Sequence, residues 1–188
     1  METRRNRYLL LRHGRSLANE AGLIISDPRD GIGAWGLADG VADELEDRFK
    51  DSSLPRNLRI FSSPFDRALE TAWAVARATG GQAPTIRDEL RERWFGSWDR
   101  RSDGFYPEVW SFDAMDPDNS RGGVESPSAV FRRLWRLIAE IESQGGNSTV
   151  LLVSHGDPLN ILLTGTAGLG LERHRDIPPM ETAEIREL

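Results

Sequence analysis

The sequence predicts an α/β fold with a largely parallel sheet covered by helices on both faces. Three observations carry that expectation. Short apolar runs alternate with helical stretches along the chain, the signature of strand–helix–strand units. Two of the runs, Tyr8-Leu9-Leu10-Leu11 and Thr149-Val150-Leu151-Leu152-Val153, read as buried strands that stop abruptly at a histidine and a glycine. Glycine pairs, Gly80-Gly81 and Gly145-Gly146, close two of the helical stretches.

Each element follows from local chemistry. The first strand covers residues 7–11 and leads into a glycine-bearing loop over 19–39. A helix over 41–50 comes next, then a second strand over 59–61 ending in Ser62-Ser63-Pro64. Ser63 and Pro64 read as the N-cap and first turn of a helix over 65–78, whose apolar positions are Ala68, Leu69, Ala72, Val75 and Ala76. A short strand over 85–87 follows. Residues 99–124 lack clean periodicity and scatter glycine, proline and aromatics, which fits a structured excursion over the sheet. Ser126-Pro127 opens a helix over 128–143 with Val130, Leu134, Leu137, Ile138 and Ile141 on one face. The strand to Ser154, a helix over 158–164, a loose stretch over 165–179 and a last strand over 182–186 complete the set.

At 188 residues the chain is expected to form one domain over 1–188, with excursions over about 20–39 and 99–125 forming a rim. No apolar stretch reaches the length of a membrane span, and the arginine-bearing N-terminus leads straight into the first strand rather than into a signal peptide. The absence of cysteine excludes disulfides, thiol nucleophiles and cysteine metal sites, and a cytoplasmic location is the simplest reading. A net charge of −6 argues against a nucleic-acid partner. Among 24 Lys and Arg residues only Lys50 is a lysine. Arginine suits phosphate and carboxylate, but most of these arginines are scattered, so only those inside motifs count.

Four segments could carry chemistry. Leu11-Arg12-His13-Gly14 and Ser154-His155-Gly156 each stand at a strand end, where open α/β sheets bind ligands; the third histidine, His174, has no such setting. Either strand-end histidine alone is equally a structural residue. Arg67 falls in the first turn of the helix after Ser63, where a cation opposes the helix dipole. It therefore reads either as an anion ligand or as a surface partner of Asp66 or Glu70. Leu90-Arg91-Glu92-Arg93-Trp94-Phe95-Gly96-Ser97-Trp98 places Glu92 among Trp94, Phe95 and Trp98. Such apolar neighbours would keep the carboxyl protonated, as a general acid requires. A metal held by His13, His155 and Glu92 is the chemical alternative. Arg12 and Arg67 would repel a cation and no ligand pair has helical metal spacing, so no metal is expected.

In order and spacing these segments resemble the histidine phosphatase superfamily, branch 1, the phosphoglycerate mutase-like proteins. The shared motifs are Leu-Arg-His-Gly, Ser-Ser-Pro-x-x-Arg-Ala-x-x-Thr-Ala, Leu-x-Glu-x-x-Phe-Gly-x-Trp and Val-Ser-His-Gly. The resemblance implies a three-layer α/β/α sandwich and a phosphoric monoester hydrolase of the histidine acid phosphatase type. It implies that His13 is the nucleophile and forms a phosphohistidine, with Arg12, Arg67 and His155 around the phosphoryl group and Asn19 as a further donor. Glu92 matches the family's proton donor, and no cofactor is implied.

The chain departs from the family at Arg15, where Glu or Gln often stands, at Leu37-Ala38-Asp39-Gly40 and at Gly122-Gly123-Val124-Glu125-Ser126. None of these removes a phosphate ligand. The expected substrate is a small phosphate ester. Mutase-type phosphoryl transfer and a non-catalytic phosphate-ligand or protein-binding module are the alternatives. The rim is expected to present Trp35, Phe105, Tyr106 and Trp110, with Arg15, Arg29, Arg100 or Arg101 available for a second anionic group.

Overall fold

The computed structural model describes residues 4–188, so residues 1–3 of the arginine-bearing N-terminal stretch lie outside it. Five strands are formed: β1 (Arg7–Arg12), β2 (Arg59–Ser62), β3 (Thr85–Ile86), β4 (Thr149–Ser154) and β5 (Ile185–Glu187). They make one sheet in the order β3-β2-β4-β1-β5, parallel except for β5 against β1. The two strands that end in histidine are therefore central neighbours. Arg12 pairs with Ser154, and the His13 N–H donates to Ser154 O at 3.0 Å, so both histidines leave the same sheet edge side by side.

The side-chain alternation of a strand divides the core between two faces. Leu9 and Leu11 of β1 and Leu151 and Val153 of β4 point to one layer. That layer is built by α3 (Val41–Lys50) and α4 (Asp66–Thr79), through Leu45, Phe49, Ala72 and Val75. Tyr8, Leu10, Val150 and Leu152 point to the other. There α6 (Pro127–Ser143) and α7 (Gly156–Thr166) supply Leu134, Leu137, Leu159 and Leu162. The fold is thus the expected three-layer α/β/α sandwich. Among the described residues, no helix is long and apolar enough to cross a membrane.

Three expectations need correction. The last strand begins at Ile185 rather than at 182, because Ala183 turns with φ +60° while its N–H is used by Arg12 O and His13 O. The loop expected over 19–39 overlaps a short helix at its start, α1 (Leu17–Ala21), and contains a second, α2 (Pro28–Gly31), with Ser16 and Asp27 as side-chain caps. The excursion contains a true helix, α5 (Tyr106–Asp113). Pro107 falls in its first turn, where no backbone donor is needed, so it starts the helix instead of breaking it.

The excursion shares a small separate core with the loop over 19–39 and the Glu92 segment, in which Ile24, Phe95, Trp98, Val109 and Val124 are buried together. It is fastened to the sheet by a buried ion cluster. Arg93, fully buried, grips Asp113 at the end of α5 with two bonds of 2.7 Å and reaches Asp157 in the first turn of α7 at 3.0 Å. Its Nε donates to Glu125 O at 2.7 Å. Burial alone would raise the Asp157 pKa, but Arg93, His174 and Arg175 together hold the carboxyl below its usual range. Removing one partner of such a pair strands a buried charge. Arg93→Met is therefore expected to destabilise the fold by about 3–5 kcal/mol, read as a lower urea midpoint at unchanged slope. A loss under about 1 kcal/mol would show that the cluster does not fasten the excursion.

Candidate active site

The crevice beyond the carboxyl ends of β1, β2 and β4 is where the predicted residues meet, at the position open α/β sheets reserve for ligands. It forms a cavity of about 280 Å³ lined by Arg12, His13, Asn19, Arg67 and Glu92 among others. His13 follows β1 and is buried. Its Nδ1 lies 2.7 Å from Gly14 O, an acceptor that fixes the ring proton on Nδ1 and leaves a lone pair on Nε2. Gly14 is needed for packing, since a Cβ there would lie 2.9 Å from Val41 Cγ1 on α3. Its N–H donates to Thr71 Oγ1 at 3.0 Å, which ties the loop after β1 to α4.

Arg67 is an interior residue rather than a surface partner of Asp66 or Glu70. Asp66 accepts from the Gly33 N–H and Glu70 from the Leu37 N–H. The Arg67 Nε donates to His13 Nε2 at 3.1 Å, and its Nη2 donates to Ile25 O at 3.0 Å. Ser63 is not the cap of α4: the helix begins at Asp66, and its N-cap, Phe65, has no side-chain bond. The reason is that Ser63 is still strand-bound, its N–H donating to Val153 O, while its hydroxyl serves His155. Ser63 Oγ is 2.8 Å from His155 Nε2 and also accepts from the Phe65 N–H. The hydroxyl proton is free to go to Nε2, and in that tautomer the His155 ring proton stands on Nδ1.

His155 itself is fully buried behind the cavity wall, its ring 5.1 Å from that of His13 and its Nδ1 3.5 Å from Glu92 Oε2. Glu92 Oε2 is also 3.6 Å from Arg67 Nη2, and Oε1 accepts from the Arg93 N–H at 2.9 Å. Arg12 is held by Met180 O at 2.6 Å. Three buried nitrogens near His13 have no hydrogen-bond partner among the described residues: Arg12 Nε, Arg67 Nη1 and His155 Nδ1. Asn19 lines the cavity but is exposed, and its Oδ1 is occupied by the Ser16 N–H in the capping box of α1. Among the described residues, no group of three or more His, Asp or Glu side chains is arranged to hold a metal.

Burial sets the protonation of the centre. It drives the His13 and His155 pKa values well below the ordinary imidazole value, with the cations of Arg67 and Arg12 adding to the effect at both rings. Burial also lifts Glu92 to about 7, helped by Asp157 and opposed by Arg67.

The rim differs from expectation. Tyr106 and Trp110 of α5 line the cavity, whereas Trp35 and Phe105 do not. Of the expected apolar neighbours of Glu92, only Phe95 lines the cavity; Trp98 packs into the small core of the excursion and Trp94 faces another groove. Arg15, Arg29 and Arg100 are outside the cavity, each paired with its own acid, Glu20, Asp27 and Asp30. Arg101 lies over the Phe105 ring. The cavity wall instead contains Arg175 and Asp157, which the sequence reading did not single out. His174 is also buried, its Nε2 3.7 Å from Asp113 and so beside the Arg93 cluster.

The sequence model of the histidine phosphatase superfamily (branch 1) matches residues 8–188. A bifunctional protein of Mycobacterium tuberculosis is 29% identical over 95% of this chain, which spans only 50% of that relative's length. A metal-independent phosphoserine phosphatase of Arabidopsis thaliana is 25% identical over 86% of this chain and 69% of its own. Among solved structures, mycobacterial glucosyl-3-phosphoglycerate phosphatase superposes with a TM-score of 0.81 at 22% identity, covering 97% of this chain and 92% of the other. That likeness is one of fold.

The raised Glu92 pKa has a thermodynamic sign. Between about pH 4.5 and 7 the folded protein keeps this proton and the unfolded chain has lost it, so stability falls as pH rises through that window. Relative to Glu92→Gln, wild type is expected to lose on the order of 3 kcal/mol of stability across it, measured by urea unfolding. A carboxyl ¹³C resonance for Glu92 should titrate near 7. A midpoint in the ordinary carboxylate range, with no pH trend in the difference, would contradict the assignment.

Proposed function

This chain belongs to branch 1 of the histidine phosphatase superfamily, and from that membership we propose that it hydrolyses a small phosphomonoester through a phosphohistidine on His13. The observation that carries the reading is the surround of His13 Nε2. A neutral imidazole presents a fixed lone pair beside two guanidiniums, and Arg12 Nε, Arg67 Nη1 and His155 Nδ1 are buried there without partners. Unpaired buried donors are costly, and a phosphoryl group is the ligand whose equatorial oxygens would satisfy them together. The phosphatases among its relatives and structural neighbours support the same class of substrate.

In the proposed reaction His13 Nε2 attacks phosphorus, and the bond to the ester oxygen breaks with its electron pair on the leaving alcohol. Protonated Glu92 supplies the proton that this oxygen needs. Arg12, Arg67 and the Nδ1–H of His155 hold the charge that spreads over the equatorial oxygens. The Glu92 carboxylate then takes a proton from water as that water attacks phosphorus. The P–N bond breaks, returning neutral His13 and free phosphate. Asn19, whose carbonyl oxygen is committed to the cap of α1, keeps its amide N–H₂ free to serve as the further donor.

The test is a phosphate-release assay over a panel of phosphorylated metabolites. His13→Ala is expected to reduce turnover by at least about 10³-fold, and wild type quenched during turnover should carry an acid-labile phosphoryl group absent from the variant. Unchanged turnover in His13→Ala would sink the covalent route. Phosphoglycerate isomerisation dependent on a bisphosphate primer, without phosphate release, would instead select a mutase.

A further inference from the structure

The cavity contains one guanidinium that the proposed phosphoryl chemistry does not use. Arg175, from the segment that follows α7, lines the same wall as Gly156, Asp157 and Met180. It is placed mainly by stacking. Its guanidinium carbon lies 3.7 Å from the centre of the Trp110 ring, and Trp110 lies flat on Tyr106, with centroids 5.3 Å apart and planes within 5°. The stack fixes a long side chain before any ligand arrives, so little freedom is left to lose on binding.

Asp157 is the acid that faces Arg175, at 3.4 Å from Nη1. Its oxygens are already engaged, both by the Trp110 indole N–H and one by Arg93. Arg175 is therefore held at one corner, and its Nε and Nη2 make no hydrogen bond among the described residues. Asp103 also lines the cavity, from the wall near Gly22, and an anion is disfavoured there. A planar, permanently charged fork with an open edge is suited to a carboxylate or a phosphate.

Resting on the phosphatase reading above, we propose that Arg175 is a specificity-determining residue. The substrate is a phosphomonoester with a second anionic group, which the open edge of Arg175 binds while the ester phosphate faces His13. At about 280 Å³ the cavity is at the small end of ligand sites, so both anions belong to one compact metabolite. The Trp110–Tyr106 stack sets the position of the second anion, and the residues that support it come from the excursion rather than from the sheet.

The test compares kcat/KM within two matched pairs: 3-phosphoglycerate against glycerol 3-phosphate, and fructose 1,6-bisphosphate against fructose 6-phosphate. Wild type is expected to favour the doubly anionic member of at least one pair by about 10- to 100-fold. Arg175→Gln should collapse that ratio chiefly through KM, and Arg175→Lys should restore part of it, keeping the charge without the fork. The pair whose ratio collapses identifies the second anion as carboxylate or phosphate. No preference in wild type, or an equal fall for both members in Arg175→Gln, overturns the proposal and leaves the phosphatase reading standing. Absence of phosphate release from every compound, with wild type matching His13→Ala, removes both.

Discussion

The site depends on one buried guanidinium. Arg93 follows Glu92 in the chain, and it joins Asp113 at the end of α5 to Asp157, two residues past His155. A single side chain thus sets the spacing of three segments with no common secondary structure: the carboxyl-bearing turn, the aromatic helix and the start of α7. A hydrophobic cluster replacing Arg93 together with Asp113 and Asp157 could fill the space with little loss of stability. It could not fix three directions at once. The cluster is better understood as a positional constraint, with Trp110 and through it Arg175 attached at the outer edge by way of Asp157.

Desolvation does two jobs at the centre with one physical cause. Water exclusion penalises whichever form of a group is charged, so it lowers the imidazoles of His13 and His155 and raises the carboxyl of Glu92. His13 and Glu92, the proposed nucleophile and acid, are then both in their neutral forms over a shared pH range. Separating the preferred states of neighbouring titratable groups is how one pocket serves attack and protonation together. The cations of Arg12 and Arg67 sharpen the effect at the histidines and limit it at Glu92.

The sheet and the centre of the site were legible because both rest on local signals. Continuous apolar runs marked β1 and β4, whereas their pairing, which brings both histidines to one sheet edge, is set by tertiary contact that neither strand announces. Arg67 and Glu92 were recognisable within motifs whose neighbours fix their positions. The excursion was not legible, since α5 has aromatics around its circumference and a proline at its start, and tertiary contact decides such a segment. Ser63 carried a capping signal that a long-range bond to His155 overrode. Arg175 stands in a stretch with no periodicity, and nothing nearby in sequence indicates that it meets Trp110. Arg15, Arg29 and Arg100 were plausible by type but are each neutralised by an acid that only the folded chain brings to bear or orients.

The bond from Arg67 Nε to His13 Nε2 means that the resting histidine is masked by the group that would later bind its target. Under the proposed mechanism, attack requires this guanidinium to give up the lone pair for a better acceptor. A neutral molecule offers no compensation for breaking the bond; a phosphate dianion does. Discrimination for charge would then operate at the uncovering of His13, before any contact with the leaving group, and an uncharged electrophile entering the crevice would meet a covered lone pair.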